Sequence, residues 1–452
     1  MDWFLSSSTV LTIETVRRVA VIAVAGVAAI VSVFLAARGG AGGGAPLRPT
    51  YFQDVKPILD GRCAGCHFRS GIAPFSLTTY EAARRNRSAV AGAVRRRLMP
   101  PWHAEPGHRR YLYDPSLTNT QIALITRWSE LGALRGDPAR PGAALPSVAP
   151  RLSRVDVRTS MRRAYTPRRR PGGDDYRCFV LPWSPSRQTH VTGFNVRPGR
   201  PDEVHHIILF LASPRHARTV ENWEARDRRP GYGCYGGPSA NGRTQLGFQF
   251  LAGWVPGSFG TDFPRGTGIR LARGSRLVLQ VHYNLERVAP RPDRSVVELK
   301  VENEVAKRAV FAPFVDVGWV LSPSQLVIPA RRKRVVHTFS ADPRALFGLF
   351  SGGVDFTRGF AIHSVLHHMH RLGTRGRVTL LRRGGQREVL LGVRRWDFNW
   401  QREYHLAEPE RFEPGDRLSL RCEHANPTRR TRTWGENSAD EMCIAFLYVS
   451  EP

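Results

Sequence analysis

The stretch VHHIILFLA, residues 204–212, indicates the fold class of the larger part of the chain. It is a short run of apolar, β-branched and aromatic residues, which is typical of a β-sandwich strand. Similar runs recur after residue 170 between Gly, Pro and Asp, among them RLVLQVHYNL at 276–285, GRVTLL at 376–381, DRLSLRC at 416–422 and MCIAFLYVS at 442–450. The pattern of a long amphipathic helix does not stand out among them. The sequence therefore predicts an all-β body from residue 171 onward.

The composition excludes wholesale disorder and gives the positive charge two possible meanings. A chain of 452 residues that is 41% hydrophobic is long enough for two or three domains with their own cores. The net charge of +29 would suit a polyanionic partner such as nucleic acid or an acidic membrane surface. Arginine supplies nearly all of that charge, however, in short runs spread along the chain, and no nucleic-acid-binding motif stands out. We attribute the charge to compositional bias and expect no nucleic-acid partner.

The first 50 residues contain a segment that predicts the cellular compartment. Val19–Ala37 is uncharged and, as a helix, would extend about 28 Å, close to the thickness of the hydrocarbon core of a bilayer. Arg17 and Arg18 precede it, which favours a cytoplasmic N-terminus and export of the remaining chain. A cleaved signal peptide is the alternative, although its apolar stretch is usually shorter. With the Gly-rich stretch Gly39–Pro49 as a tether, we expect a single-pass transmembrane helix that holds the body on the periplasmic side of the cytoplasmic membrane.

Cys63, Cys66 and His67 form the motif CAGCH, which is the attachment pattern of a c-type haem. In this pattern the two thiols bond to the vinyl groups, and the histidine coordinates iron on one side of the ring. A redox-active CxxC motif and half of a zinc site are the alternatives. The histidine directly after the second cysteine and the expected export both favour haem. The sequence therefore predicts one covalently attached haem c.

The second axial ligand of the haem should lie downstream of this motif. Met99, in LMPPWH, is the expected ligand, because a thioether raises the haem potential and two prolines stiffen the loop after it. His103 and His108 are weaker candidates. The spacing of apolar residues over Thr118–Leu134 predicts a helix that closes the domain against the haem edge. Residues 51–137 thus resemble a small all-α cytochrome c domain.

The histidines of the β body suggest metal binding when they are taken as a set. His205 and His206 begin one strand run, and His282 lies within another. Four more crowd together, namely His363, His367, His368 and His370. Residues two apart on a strand share a face, so that His368 and His370 could bind one ion. His205 and His206 are adjacent, so both can bind one ion only if the strand starts or bulges there. Each histidine alone is more often a hydrogen-bonded structural residue.

The identity of the metal depends on a sulfur ligand. Imidazoles alone would suit zinc or copper, whereas a thioether beside two imidazoles selects copper, particularly Cu(I). Met442 is one of only five methionines and stands in the motif DEMC at the start of a hydrophobic strand. Taken alone, Met442 would be interpreted as a core residue.

These motifs occur in the order seen in one known family. The HH pair of EVHHIILF, the VLQVHY around His282, the HMH-x-x-G that begins at His368 and the DEMC around Met442 make residues 170–452 resemble the copper type II, ascorbate-dependent monooxygenases. That family includes the peptidylglycine α-hydroxylating and dopamine β-hydroxylating enzymes. The resemblance implies two jelly-roll β-sandwich domains, each holding one copper ion. It places an electron-supplying copper on His205, His206 and His282 and a dioxygen-binding copper on His368, His370 and Met442.

The resemblance also implies the reaction, in which one atom of dioxygen enters a C–H bond of a small molecule and the other becomes water. Better-known relatives take the two electrons from ascorbate. The fused haem domain suggests instead that an external donor reduces the haem, which then supplies the His205–His206–His282 copper. Peptide-amidating relatives grip a carboxylate at three positions that are Leu366, Ile444 and Phe446 in this chain. A carboxylate would lose its water there without gaining a partner, so we expect an apolar substrate.

The four cysteines of the β body match two disulfide pairs of the same family. The resemblance implies that Cys178 pairs with Cys234 and that Cys422 pairs with Cys443. Closing the loop between the first two should stabilise the fold by about 4 kcal/mol on the chain-entropy estimate. The second bridge would fix the chain next to Met442, whose side chain is otherwise flexible.

The expected organisation is a multidomain chain in five parts. The stretch 138–170 is rich in Pro, Arg and small residues and is interpreted as a linker. The parts are a membrane anchor and tether (1–50), the haem domain (51–137), the linker (138–170), the first copper β-sandwich (171–290) and the second (291–452). Two other function classes stay open, namely a haem and copper electron-transfer protein or sensor without oxygenase chemistry, and a copper chaperone or store. His363 and His367 are possible supports of the second copper site.

Overall fold

The computed structural model describes residues 48–69, 71–170, 173–240, 248–286, 288–350 and 352–452. This part of the chain is mostly β-sheet with few helices, as the strand runs predict. The expected anchor, Val19–Ala37, lies outside the described residues. Within the described ranges, no helix is long and apolar enough to cross a membrane.

A small group of helices precedes the sheets. It consists of a π-helical turn (Tyr51–Val55) and four α-helices, namely α1 (Lys56–Arg62), α2 (Tyr80–Arg85), α3 (Arg87–Arg95) and α4 (Asn119–Glu130). Helix α4 begins with a capping box, in which Thr118 and Gln121 satisfy each other's backbone N–H groups. Its buried face carries Ile125 and Trp128. The helix predicted over Thr118–Leu134 is therefore confirmed, although it ends at Glu130.

These helices pack around a small apolar core. Its centre is Trp128, with Tyr51, Val55 and Leu59 buried beside it. The backbone N–H of Tyr51 donates to the carbonyl of Leu134 at 2.8 Å, which joins the first turn to the segment after α4. The motif CAGCH follows α1 directly, so a compact helical unit holds it in place.

Three sheets form the rest of the described chain. One has the spatial order β1 (Val157–Ser160), β10 (Val296–Glu302), β3 (Thr189–Arg197), β8 (Thr267–Leu271), β11 (Lys307–Phe314), β18 (Ile444–Ser450), β13 (Phe360–His368) and β16 (Tyr404–Phe412), with β7 (Thr261–Asp262) beside β3. The second has the order β5 (Tyr232–Gly233), β2 (Asp174–Val180), β9 (Arg276–Asn284), β4 (Val204–Ala212) and β6 (Phe248–Trp254). The third has the order β12 (Arg332–Ala341), β17 (Arg417–Asn426), β14 (Gly373–Leu381) and β15 (Arg387–Val393). Strand β4 covers the whole of VHHIILFLA.

Two apolar cores lie between these sheets. The first joins the five-stranded sheet to the β1–β8 half of the long sheet and includes Ile207, Leu279 and Leu299. The second joins the four-stranded sheet to the β11–β16 half and includes Leu420 and Leu447. The body therefore consists of two β-sandwiches that share one long sheet.

The strand pairing crosses the domain limits expected from the sequence. Strand β1 lies within the expected linker 138–170 but pairs with β10, and β10 in turn pairs with β3 although it lies beyond residue 290. Strand β11 then runs parallel to β8 at Lys307 and antiparallel to β18. An unpaired edge strand leaves its backbone N–H and C=O groups without partners. Here β8, at the edge of the first sandwich, pairs with β11 of the second, so that the two sandwiches share one continuous sheet.

Three α-helices lie among the strands, namely α5 (Pro214–Arg226), α6 (Val317–Leu321) and α7 (Arg344–Phe350), together with a 3-10 turn (Pro323–Gln325). Helix α5 was not expected in an all-β body. Pro214 in its first turn suits a helix start. Val220 is the buried apolar residue of this helix, so most of its surface is polar and exposed.

Both disulfides implied by the family resemblance are present. Cys178 pairs with Cys234 and Cys422 pairs with Cys443, each with a Cα–Cα distance of 5.9 Å, within the usual range. Cys422 lies in β17, and Cys443 directly precedes β18. The second disulfide therefore ties the four-stranded sheet to the long sheet beside Met442.

Candidate functional site

The first histidine centre consists of His205, His206 and His282, on the neighbouring strands β4 and β9. The pairing of these strands shifts register between Val204 and His206, because Val204 lies opposite Tyr283 whereas His206 lies opposite His282. His205 is the extra residue of this bulge. The bulge predicted for the adjacent pair is therefore confirmed, and it brings both rings to one side of the strand, next to His282.

The three imidazoles of this centre converge on one point through their Nδ1 atoms. The Nδ1 atom of His206 lies 3.3 Å from Nδ1 of His205 and 3.4 Å from Nδ1 of His282. Across the whole cluster, the possible ligand atoms lie within 4.8 Å of one another. Two nitrogens about 2.0–2.1 Å from one ion at a tetrahedral angle are about 3.4 Å apart. The cluster could therefore hold a metal ion.

A buried carboxylate supports this centre from behind. Asp174 accepts a hydrogen bond from Nε2 of His282 at 2.9 Å, which leaves Nδ1 of that ring free for a metal. Burial works against a charged Asp174, but hydrogen bonds from His282, Ser438 and Asn284 hold the pKa of this carboxyl well below its usual range. Burial also lowers the pKa of all three histidines. The rings are therefore neutral, as metal ligands must be.

The same region joins the two sandwiches. The ring of Tyr176 stacks on His282, with centroids 4.1 Å apart and an interplanar angle of 11°. Its hydroxyl donates to the carbonyl of Glu436 at 2.6 Å, and Ser438 donates to Asp174. Residues 436–438 precede Met442, so the first centre is held against the segment that carries part of the second.

The second centre consists of His368, His370 and Met442. Strand β13 ends at His368, opposite Ile444 of β18, and His370 follows in the next turn. The geometry expected from the sequence, with both histidines on one strand, therefore does not occur. The turn instead places the ring centroids of His368 and His370 5.1 Å apart, with an angle of 89° between the ring planes. Met442 is 8% exposed and lies just before β18.

Hydrogen bonds orient both rings of the second centre. Nδ1 of His368 donates to Oε1 of Gln401 at 2.5 Å, and Nδ1 of His370 donates to the carbonyl of Asp440 at 3.2 Å. Their Nε2 atoms are left for a metal ion. Burial lowers the pKa of His368 to about 4 and that of His370 well below its ordinary value. Two neutral imidazoles and a thioether are a donor set that suits copper.

Glu441 connects the two segments of the second centre. Its carboxyl accepts backbone N–H bonds from His370 at 3.0 Å, from Leu372 at 2.5 Å and from Met442 at 3.3 Å. Burial raises the pKa of Glu441 to about 7. On the other side, Nε2 of His424 lies 3.4 Å from the carbonyl of Met442 and 3.5 Å from the Glu441 carboxyl. Glu441 therefore fixes the spacing of the ligand segments.

His363 and His367 have partners other than the metal ligands. Nε2 of His363 bonds with Oγ of Ser450 at 2.9 Å. Nε2 of His367 donates to the carbonyl of Arg421 at 3.2 Å and lies 3.6 Å from Sγ of Cys422. His367 thus lies against the Cys422–Cys443 disulfide.

One aromatic ring lies between the two centres. Phe398 stacks on His205 with centroids 4.3 Å apart, and its centroid is 5.9 Å from that of His370 at an angle of 85°. Gln401 fixes this turn, because its Nε2 donates to the carbonyl of Phe398 at 3.0 Å while its Oε1 holds His368. The two centres are therefore neighbours that share one supporting segment.

The second centre falls within a region that matches a known family. Residues 317–451 match the family model described as copper type II ascorbate-dependent monooxygenase, C-terminal domain. Its limits coincide with α6 at one end and β18 at the other. The match covers the second sandwich except β11 and includes His368, His370 and Met442. The matched family is one of copper-binding oxidoreductases.

Solved structures give weaker likenesses. The major capsid protein P2 of bacteriophage PM2 is 9% identical with a TM-score of 0.25, over 65% of this chain and 97% of that one. The VP2 subviral particle of infectious bursal disease virus is 12% identical with a TM-score of 0.17, over 66% and 72%. An allantoicase is 13% identical with a TM-score of 0.16, over 60% and 81%. Scores this low carry no argument about function.

A cavity of about 640 Å³ lies beside the second centre. Its lining includes His206 of the first centre together with His368, His370 and Met442. The remainder is largely apolar, and it includes Phe250, Phe311, Leu366, Ile444 and Phe446. Three of its phenylalanines stack on one another with centroids 5.0–6.0 Å apart. Both candidate centres thus border one apolar chamber.

Two short helices form an apolar side of this chamber. Val317, Val320 and Leu321 of α6 and Leu349 of α7 line the cavity, yet they are 43–77% exposed. A contiguous exposed apolar patch often marks a ligand-binding groove or an interaction surface. The chamber is therefore open to solvent on the side formed by α6 and α7, and this side is hydrophobic.

The haem motif is arranged in a way that fits the group it predicts. Cys63 and Cys66 are unpaired, so both thiols are free for attachment. Nδ1 of His67 donates to the carbonyl of Phe75 at 2.9 Å, which leaves Nε2 for iron. Burial lowers the pKa of His67, which favours the neutral ring that coordinates a metal.

The candidates for the second haem ligand differ in their surroundings. Met99 is half-buried. His103 is 9% exposed, and burial lowers its pKa. His108 already bonds with the Glu105 carboxylate at 3.2 Å. These contacts disfavour His108 and leave Met99, the expected ligand, and His103 as predictions.

Several functional residues were not predicted from the sequence. Asp174, Gln401, Glu441, His424 and Phe398 all contact ligand residues, and all of them except Glu441 approach from segments distant in sequence. For Glu441 the sequence contained a signal, because it directly precedes the candidate ligand Met442 in the motif DEMC. The remaining four have no local pattern that distinguishes them from ordinary core and loop residues.

Proposed function

We propose that this protein is a copper-dependent monooxygenase that hydroxylates a C–H bond of an apolar small molecule with dioxygen. The observation that carries the proposal is the pair of centres beside one apolar chamber, of which the second lies in the matched region 317–451. His205, His206 and His282 would hold one copper ion, and His368, His370 and Met442 would hold the other. Bound copper would supply one-electron redox chemistry and bind dioxygen.

The residues of the chain have distinct roles in this proposal. Asp174 and Gln401 fix the ring orientation of His282 and His368. Glu441 keeps the His370 and Met442 segments at a constant separation. Phe398 fills the space between the centres with a hydrocarbon ring and so excludes water from it. Such preorganisation keeps ligand geometry fixed while the charge of the metal changes.

The chamber supports an apolar substrate. Leu366, Ile444 and Phe446 line it next to the second centre, and stacked phenylalanines form much of its wall. A charged group placed against this wall would lose water without gaining a hydrogen bond. The exposed apolar residues of α6 and α7 would provide an entry side for such a molecule.

We further propose that electrons arrive from an external donor through a haem c on Cys63, Cys66 and His67. The free thiols and the orientation of His67 support this part.

We also propose that Val19–Ala37 anchors the body on the periplasmic side of the membrane. The alternative function, a haem and copper electron-transfer or copper-binding protein without oxygenase activity, would not need a chamber that borders both centres, and the chamber therefore favours the enzyme.

The test is metal content, visible spectrum and oxygen uptake of the purified full chain. The proposal expects about two copper ions and one haem per chain, and oxygen uptake under reducing conditions that rises with apolar substrates from a panel. His370→Ala should abolish the substrate-dependent uptake, whereas the control His216→Ala, a change outside both centres, should not. Copper binding without substrate-dependent uptake across the panel would favour the electron-transfer alternative, and absence of copper would refute both.

A further inference from the structure

Two short helices at the open side of the chamber have no polar side chain on their exposed surface. Helix α6 is VGWVL, and α7 is RALFGLF, in which only the first residue, Arg344, is polar. Leu321 is 77% exposed and Leu349 is 67% exposed, the two largest values for a big apolar side chain in the part of the chain that the structure describes. Val317 and Val320 lie exposed on the same side of the chamber. These four apolar residues form the α6–α7 surface.

Each helix is fixed to the body by one buried aromatic ring. Trp319 of α6 packs against His337 and Phe339 of β12, with ring centroids 5.9 Å and 6.2 Å away. Phe347 of α7 packs against Phe360 of β13, with ring centroids 5.4 Å apart. The exposed apolar residues therefore belong to helices that the core of the second sandwich holds in place.

Helix α5 shows how this chain covers a helix that faces water. It buries Val220 and exposes Arg215, Arg218 and Glu221. A surface helix of a soluble protein usually has such a charged side, whereas a helix that is apolar all round is usually buried in a protein core or in lipid. Helices α6 and α7 have no polar residue on their exposed sides. The difference indicates that an apolar body covers the α6–α7 surface.

The proposed anchor would bring lipid within reach of this surface. That anchor ends at Ala37, and the eleven residues 38–48 after it can extend by at most about 40 Å. A body on so short a tether stays close to the bilayer. A second copy of the chain is the competing occupant. Four side chains on helices of five and seven residues, however, offer far less than the roughly 800 Å² per partner of a stable protein interface.

The charges near the surface suit the headgroups of acidic lipids. Arg332 and Lys333 are exposed at the start of β12, about 13–17 Å along that strand from His337, against which α6 packs. The two acidic residues that precede the helices are occupied. Asp316 accepts the first backbone N–H bond of α6 at 2.8 Å, and Asp342 pairs with the arginine of α7 at 2.7 Å. Exposed cations near a membrane are attracted to its acidic lipids.

We propose that the α6–α7 surface lies in the lipid of the membrane that anchors the chain, and that an apolar substrate enters the chamber from that lipid. The inference rests on the proposed function and names the phase that supplies its substrate. The apolar face of a helix at a membrane surface enters it by about 5–10 Å, which suffices for these side chains. Leu346 and Phe350 of α7 also line the chamber, so the helix that contacts lipid would form part of the chamber wall.

The experiment is photochemical labelling of the purified full chain in vesicles made of equal parts of phosphatidylcholine and phosphatidylglycerol. The vesicles also contain a phospholipid with a diazirine on its acyl chain, and mass spectrometry of the digested protein locates the attached lipid. We expect label in the peptides that contain 317–321 and 344–350 as well as in Val19–Ala37, the internal positive control. Val155, an exposed apolar residue outside the chamber lining, should stay unlabelled.

A double variant, Leu321→Asp with Leu349→Asp, tests whether the aliphatic side chains make the contact. Both positions are exposed, so we expect the fold to be retained. Label on the two helices should fall about tenfold, the factor that burial of one leucine supplies at the lower limit, while label in the anchor stays the same. Val155→Asp is the matched control and should leave both signals unchanged. If the double variant does not fold, the labelling of the wild type decides by itself.

The entry route has its own readout. For an apolar substrate supplied in the vesicles, the double variant should raise the KM for oxygen uptake about tenfold, because the mouth of the chamber would no longer contact the phase that holds the substrate. Val155→Asp should not raise it. An unchanged KM in a double variant that has lost its lipid label would refute entry from lipid and leave the membrane contact standing.

Other results would overturn the membrane contact itself. Label in the anchor without label on α6 and α7 would refute the contact and leave the proposed anchor and the monooxygenase standing. Cross-links between two chains through these helices, without attached lipid, would assign the surface to a second copy instead. Absence of label from the anchor and from both helices would refute the contact together with the anchoring. The labelling needs neither copper nor substrate, so a failure of the monooxygenase proposal in metal content and oxygen uptake is distinguishable from all of these.

Discussion

The two histidine centres use the same side chain in opposite ways. In the first centre the Nδ1 atoms of His205, His206 and His282 face one another, and a charged carboxylate binds the far side of one ring. In the second centre the Nδ1 atoms of His368 and His370 are taken by a side-chain amide and a backbone carbonyl, so that Nε2 is free. The nitrogen available to a metal is therefore decided by the residues behind the ring.

The two centres also differ in the backbone segments that carry their ligands. The ligands of the first centre lie on two paired strands, and a bulge aligns the adjacent pair. The ligands of the second centre lie at a strand end, in a turn and just before β18, and Glu441 joins these segments. We expect the first centre to be rigid through its sheet and the second to depend on individual hydrogen bonds.

Removing one ligand from each centre should produce the largest effects. His282→Ala and His370→Ala should each lose about one copper ion per chain and lower substrate-dependent oxygen uptake by more than about 100-fold, because a two-ligand site holds the ion poorly. Elemental analysis and oxygen-electrode assays measure both. His216→Ala is the control, and retention of both copper ions in either ligand variant would contradict the assignment.

Acidification should destabilise the metal-free protein, mainly through the second sandwich. Burial lowers the pKa of His363, His367, His368 and His424 to about 4. Unfolded histidine titrates near 6.5, so the unfolded chain binds more protons between about pH 6.5 and 4. The free energy of unfolding should therefore fall across that window, by on the order of several kcal/mol. Urea unfolding at a series of pH values measures this.

Glu436 and Glu441 act in the opposite direction and provide the control. Burial raises the pKa of each to about 7, so the folded chain binds more protons between about pH 4.5 and 7, and their contribution is lost as the pH rises. Glu441→Gln should therefore steepen the loss of stability on acidification. A stability that stays constant or increases from pH 6.5 to 4 would show that the histidines are not held neutral.

The carboxylate behind the first centre should matter more than the amide behind the second. Asp174→Asn should weaken copper binding about 10- to 100-fold, as outer-shell changes at metal sites typically do. Gln401→Leu should have a smaller effect, because it removes a neutral partner. Each change is measured by competition with a chelator in a background that lacks the other centre, His370→Ala for Asp174 and His282→Ala for Gln401. Equal effects would remove the distinction between the centres.

The smallest effect is expected at the ring between the centres. Phe398→Leu should cost about 1 kcal/mol in the free energy of unfolding, the usual contribution of an aromatic pair beyond its area, while both copper ions remain bound. Phe360→Leu is the matched control, because its ring stacks on Phe412 at 4.5 Å in the core, away from the centres. If Phe398→Leu alters the copper spectrum and Phe360→Leu does not, the ring contributes to the coupling of the centres.

Features set by neighbouring residues were predictable from the sequence. The strand β4, the bulge at His205 and His206, and helix α4 each follow from a local pattern of apolar residues or from a ligand pair that a regular strand cannot align. The disulfide pairs followed from the family resemblance. The same resemblance grouped His368, His370 and Met442, which the fold brings to one chamber.

Features that depend on distant contacts were not predictable. Helix α5 buries Val220 alone among its apolar residues, too little to give a periodic signal. The turn that moves His370 off β13 is stabilised by Glu441 and by Trp396, whose Nε1 donates to the His370 carbonyl at 2.9 Å. The join between β8 and β11 depends on two strand edges far apart in sequence. Such contacts exist only in the folded chain.

The shared sheet also determines which fragments of this protein can be produced alone. The matched region begins at residue 317, but β18 lies between β13 and β11, and β11 ends at Phe314. A recombinant fragment that starts at residue 317 would convert β18 into an exposed edge strand and invite aggregation. A fragment that starts before Lys307 would keep β18 paired on both sides, so expression trials should begin there.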